Sequence, residues 1–296
     1  MDDPFFPGFE SHRLELTESQ VHAVVGGSGP AVLLLHGYPQ THVAWHRIAP
    51  TLARHFTVVA PDLRGYGDSI GPAGGPPHEA HSKRAMAADV LALMRSLGHR
   101  RFAVVGHDRG GRVAYRLALD HPEAVSGFSS LTVVPFEAMW ARADMRFGLH
   151  AYHWYFFAQP FDLPERLLRA DPAYFLDWTL DRMTKHRSSL SVQARARYHA
   201  AFANESVRHA MMEDYRAGAS VDLEHDRAAR AAGRKLACPV QVLWSAESPD
   251  VMAIWQEWAS EVEGARIDAG HLLAEEAPDV VLQHLMPFLR RVSTAG

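Results

Sequence analysis

Asp108 sits at the centre of Gly106-His107-Asp108-Arg109-Gly110, directly after the apolar run 102–105 (FAVV) and before a helical pattern. A Gly-x-nucleophile-x-Gly pattern between strand and helix forces a sharp turn and presents the central side chain at the carboxyl edge of a sheet. Here that side chain is a carboxylate, not a hydroxyl. A carboxylate attacking an acyl carbon would give an anhydride. At a saturated carbon it displaces a leaving group, such as a halide or an epoxide oxygen, and forms an ester. Water can then hydrolyse the ester with a histidine as base. Of the 19 histidines, His271 is the candidate, because it follows Asp268-Ala269-Gly270 after the last strand-like run. The competing role for Asp108 is that of a helix cap.

His36-Gly37-Tyr38-Pro39 closes an earlier apolar run. The Tyr38 N–H, partnered by the N–H of Arg109, is the expected oxyanion hole. Arg109 and Arg112, three apart at a helix start, share a face and could clamp a substrate carboxylate through paired hydrogen bonds. Ordinary helix salt bridges are the alternative for them.

These groups need a rigid frame. Runs 31–35 (AVLLL), 56–60 (FTVVA), 102–105 and 240–244 (VQVLW) are continuously apolar, as buried parallel strands are. Helical patterns such as 85–97 and 112–119 separate them. The expectation is an α/β fold, a mostly parallel sheet with helices on both faces and its site at the strands' carboxyl ends. From 136 to 235 strand-like runs vanish and aromatics, His and Arg become dense. That span is expected to be an inserted helical cap, with helices over 152–157, 171–184 and 188–214, and with 1–135 and 236–296 forming the core.

The remaining composition narrows the function. Apolar residues are 47% of 296, enough for a large core, and the net charge of −4 mixes both signs, so neither nucleic acid nor an anionic membrane is expected as partner. One cysteine, Cys238, excludes an internal disulfide and fits a reducing compartment, hence the cytoplasm. Neither a secretory signal nor a membrane span is legible. Asn204-Glu205-Ser206 matches a glycosylation sequon, taken as chance. No metal spacing stands out, and the chemistry needs no organic cofactor.

The elbow and HGYP loop, together with PDLRGYGDS (from Pro61), GHDRGGRVAYRLALDHP (from Gly106), YHWYFFAQP (from Tyr152) and DYRAGASVD (from Asp214), resemble the fluoroacetate (haloacetate) dehalogenases of the α/β-hydrolase superfamily. The likeness spans nearly the whole chain. It implies the α/β-hydrolase fold, a small halo acid as substrate, water as co-substrate and a homodimer. It also implies a halide pocket of His153, Trp154 and Tyr215, all hydrogen-bond donors. Three positions depart from the family pattern. Thr132 stands where the family places the triad's acid, and Ser248 at the superfamily's other acid position, flanked by Glu247 and Asp250. Glu247 is the expected acid and Asp250 the second choice; failing both, the triad is degraded. Met183 replaces a bulky cap aromatic and should loosen the pocket. Two other functions fit less well: an epoxide hydrolase using Asp108 with Tyr152, Tyr155 or Tyr215 as proton donors, and a non-catalytic small-acid-binding protein.

Overall fold

The computed structural model describes residues 3–246, 248 and 250–294. Among these, eight strands form one sheet: β1 (Glu10–Glu15), β2 (Gln20–Gly26), β3 (Ala31–Leu35), β4 (Thr57–Pro61), β5 (Phe102–His107), β6 (Val125–Leu131), β7 (Val240–Ser245) and β8 (Val262–Ile267). Their spatial order is β1-β2-β4-β3-β5-β6-β7-β8. The pairs β1–β2 and β2–β4 are antiparallel and all others parallel. Every residue of β3, β5, β6 and β7 is buried, as strands covered by helices on both faces must be.

The central strand β5 lies between β3 and β6. Helix Arg109–Asp120 starts one residue beyond the elbow Asp and packs against β5 and β6. The turn demands glycine: a Cβ on Gly106 would come within 2.6 Å of the Gly110 carbonyl oxygen.

Between β6 and β7 the chain is helical, from Phe136–Trp140 through Val221–Ala231; we assign 136–235 to the cap on this ground. The single helix expected over 188–214 is two, Val192–Ala203 and Glu205–Gly218. Asn204 breaks them with extended backbone (φ −76°, ψ 125°) and caps the second, its side-chain oxygen accepting from Ser206 N–H at 3.0 Å. The sequon is thus a helix start.

One trio of possible metal ligands occurs among the described residues: His22, His42 and Asp62, all buried. Both imidazole Nδ1 atoms meet Asp62, at 3.2 and 3.0 Å, and Asp62 also accepts the N–H of His42 and of Asp68. The carboxylate is thereby committed to hydrogen bonds that fasten the 62–69 loop to β2.

Candidate active site

Asp108 has φ 49° and ψ −119°, a strained setting for a residue with a Cβ. Its side chain does not cap the following helix. The strain turns the carboxylate into a cavity of about 260 Å³ lined by both core and cap, including Arg112, Thr132, His153, Trp154, Met183, Ser248 and His271. Asp108 Oδ1 accepts the Tyr38 N–H at 2.9 Å. A Cβ on Gly37 would lie 2.6 Å from that oxygen and 2.9 Å from Arg109 N, so Gly37 keeps open the space where both backbone donors converge. Oδ2 faces His271 Nε2 at 3.5 Å and Arg112 Nη1 at 3.9 Å. Burial works against the charge, but His271 and Arg112 outweigh it and hold the carboxyl far below the usual carboxylate range.

His271 is fixed through its backbone. Its N–H donates to the Met183 carbonyl at 2.6 Å, and its own carbonyl accepts from His107 Nε2 at 2.9 Å. Burial lowers His107 to about 3, so its ring is neutral as it holds the His271 backbone. Nε2 of His271 is buried and has no hydrogen-bond partner. Among the described residues, Asp108 is the one carboxylate within ion-pair reach of His271.

The acid positions divide. Glu247 lies outside the described residues. Asp250 is exposed, accepts the Met252 N–H at the start of the helix Met252–Trp258 at 2.8 Å, and makes no ion pair with His271. Thr132 and Ser248 both line the cavity. Thr132 has φ 62°, and its hydroxyl donates to the Leu131 carbonyl at 2.8 Å.

The two arginines differ in their partners. Asp214 takes Arg109 Nε at 3.0 Å and Nη2 at 2.5 Å, and its backbone carbonyl takes Nη2 again at 2.8 Å. Asp214 also binds Lys83 Nζ and the Tyr66 hydroxyl. Burial would raise Asp214; Arg109 and Lys83 overcome it and hold the carboxyl below its ordinary range. Arg109 is thus a buried strut between core and cap, with only Nη1 left unpaired. Arg112 is different. It is buried, its Nε and Nη1 have no hydrogen-bond partner, and its guanidinium lies 4.6 Å from the Trp154 ring centroid. Burial and the Arg109 cation together press its pKa down, more than the Asp108 carboxylate at 3.9 Å lifts it.

His153 stacks on Tyr38 at 5.6 Å and is lowered by burial to about 3, leaving a neutral ring. Trp154 and His153 line the cavity; Tyr215 stands behind them, with ring centroids 5.6 Å from His153 and 5.7 Å from Trp154 and 4.1 Å from the Arg109 guanidinium. Of the three tyrosines weighed as proton donors, Tyr152 alone lines the cavity. Sequence reasoning passed over His107, Lys83 and Asp214. The signal was present for Asp214: an Asp inside AMMEDYRAG, a helix stretch otherwise suited to burial.

Residues 30–278 match the alpha/beta hydrolase fold family. The chain is 38% identical to a fluoroacetate dehalogenase of Burkholderia sp over 291 residues, 96% of this chain and 95% of that one. It is 32% identical to a soluble epoxide hydrolase of Corynebacterium sp. (strain C12) over 285 residues, 94% and 96% of the two chains. A solved Pseudomonas aeruginosa structure, provisionally described as an epoxide hydrolase, superposes with a TM-score of 0.95 at 53% identity and 99% coverage of both chains. The chain belongs to the α/β-hydrolase fold family. Within it, this is a hydrolase related along nearly its whole length to fluoroacetate dehalogenase, as the motifs led us to expect. No helix among the described residues is long and apolar enough to cross a membrane.

Proposed function

We propose that the chain is a hydrolytic dehalogenase of small 2-halo carboxylates such as chloroacetate and fluoroacetate. One observation carries this reading: Arg112, a buried guanidinium with two unpaired nitrogens, lines the same cavity as Asp108. A substrate carboxylate supplies the missing hydrogen-bond acceptors and a second negative charge beside the guanidinium. So held, the neighbouring carbon faces Asp108 Oδ2. The C–O bond forms as the carbon–halogen bond breaks, and the halide leaves with the bonding pair toward the N–H and O–H donors of His153, Trp154 and Tyr215. Water then loses a proton to His271 Nε2 and adds to the Asp108 carboxyl carbon. The negative charge develops on Oδ1, beside the N–H groups of Tyr38 and Arg109. Collapse expels the alkoxide, which takes the proton held by His271 and leaves as the 2-hydroxy acid, while the Asp108 carboxyl gives its proton to solvent and is a carboxylate again.

A second reading, epoxide hydrolysis, is favoured by Tyr152 in the cavity wall and by the epoxide hydrolase relative. It leaves the unpaired Arg112 without a role. Halide release from chloroacetate and fluoroacetate, run beside diol formation from styrene oxide, tests both. Diol without halide would refute the dehalogenase, and neither product would point to a non-catalytic acid binder.

A further inference from the structure

Glu275 lies four residues beyond His271, in the helix Leu273–Glu276, and is 1% exposed. Its Oε2 accepts hydrogen bonds from Gln40 Nε2 and from the Tyr198 hydroxyl, the latter at 3.0 Å. Gln40 Nε2 also donates to the Tyr198 oxygen at 3.2 Å. Gln40 follows Tyr38 by two residues, and the Tyr38 N–H holds Asp108. Tyr198 belongs to the cap helix Val192–Ala203. One carboxyl therefore joins the segment that holds the nucleophile, the segment that carries the base and a helix of the cap. The steps proposed above do not use it.

The charges around this junction do not neutralise a carboxylate. His46 Nδ1 is 3.8 Å from Oε1, but it also lies 2.8 Å from the Val43 carbonyl and donates there. Burial holds His46 below its ordinary pKa, so it brings no positive charge at neutral pH. Arg47 donates to the backbone carbonyl of Glu275, and its charge favours ionisation of the carboxyl, but by less than burial opposes it. Glu276, on the same helix, adds negative charge, and Tyr198 offers a hydroxyl that resists ionisation. Oε1 is buried without a partner.

We propose that Glu275 is a positioning residue, whose carboxyl holds the Tyr38 loop, the His271 loop and the cap helix Val192–Ala203 in register around Asp108. Burial pushes it up to about 8, so at neutral pH the carboxyl keeps its proton and the junction is uncharged. Above that pH a buried negative charge appears inside it, with Oε1 unpartnered. The folded state retains this proton where the unfolded chain has lost it, from the ordinary carboxyl range up to about 8. Stability from this group is therefore full below the ordinary carboxyl range, falls as pH rises from there, and is wholly lost by about pH 8.

The role rests on the hydrolase reading, and its test has readouts that do not. Glu275→Ala should lower kcat by about tenfold to a hundredfold, with KM changed far less, because reacting groups shift without loss of a substrate contact. Glu275→Gln, which keeps the shape and stays uncharged, should restore most of that loss. Wild-type kcat should fall as pH rises through about 8, and the Gln variant should not show that fall. Amide hydrogen exchange on the intact chain should speed up together in residues 36–40, 192–203 and 271–276 of the Ala variant, and not in the Gln variant. Thermal unfolding midpoints of wild type and Glu275→Gln should diverge between pH 5 and 8, with the Gln variant gaining at the higher pH. If wild type releases no halide from haloacetates, the dehalogenase reading fails, while exchange and unfolding still decide the role of Glu275. Exchange confined to residues 271–276, or parallel pH–stability curves for the two proteins, would overturn the proposal.

Discussion

Asp214 grips Arg109 through Nε at 3.0 Å and Nη2 at 2.5 Å, 105 residues away in sequence and across the boundary between cap and core. Lys83 and Tyr66 complete the grip. Removing the carboxylate charge would leave the buried Arg109 cation with no counter-ion and Lys83 with Asp222 alone, at 3.3 Å. Asp214→Asn should therefore cost about 3–5 kcal/mol of unfolding free energy, the usual penalty for orphaning a buried partner. Urea denaturation measures this; a midpoint within error of wild type would show that the network is not a strut.

Arg112 has no such protein partner. Arg112→Ala should lower kcat/KM for haloacids by about 2–4 kcal/mol through loss of the carboxylate's partner. Neutral haloalkanes should suffer far less. Equal losses on both substrate types would remove Arg112 from carboxylate recognition.

Asp108→Asn should fold and release no halide, since an amide is not a competent nucleophile. His271→Ala should still allow the first displacement and then stall. Intact-protein mass spectrometry of that variant after incubation with chloroacetate should show one ester adduct, located on Asp108 by peptide mapping. Full binding without an adduct would mean that His271 acts before the ester forms.

Much of this was legible because the informative residues are local. The apolar runs of β3, β5 and β7 and the Gly-x-Asp-x-Gly turn each fall within ten residues, and their periodicity carries their structure. What escaped was either non-local or atypical. Arg109's ion pair with Asp214 could not be read from local spacing, because Asp214 lies across the cap boundary. β8 (VEGARI) went unread because an edge strand needs neither an apolar run nor a clean alternation. Asn204 was hidden between two helix-forming stretches, where only its side-chain bond to Ser206 N–H reveals a break. The triad's acid stayed illegible: Glu247 and Asp250 are nearly equivalent by register, and only geometry shows Asp250 to be spent on a helix end.

Thr132 presents the sharpest test of that missing acid. A hydroxyl can accept a hydrogen bond from the His271 ring but cannot stabilise an imidazolium by charge. The backbone there, at φ 62°, suits Asp better than a β-branched residue. Thr132→Asp should therefore fold at least as well as wild type and speed hydrolysis of the ester, read as the steady-state phase after a burst of halide. An unchanged or slower second phase would show that the acid does not belong at this position.

The two margins of the sheet bear on how this protein behaves when crowded. β1 reads ESHRLE and β8 reads VEGARI, and their charged residues Glu10, Arg13, Glu15, Glu263 and Arg266 are exposed. Arg291 meets Glu261 and Glu263 at 3.0 and 2.7 Å, laying a further charged side chain along the β8 margin. A strand from another molecule seeking the open backbone groups of either margin would have to bring charge against charge and strip water from both. The sheet thus carries its own protection against edge-to-edge growth into fibres, and the apolar strands that support the elbow stay confined to its interior.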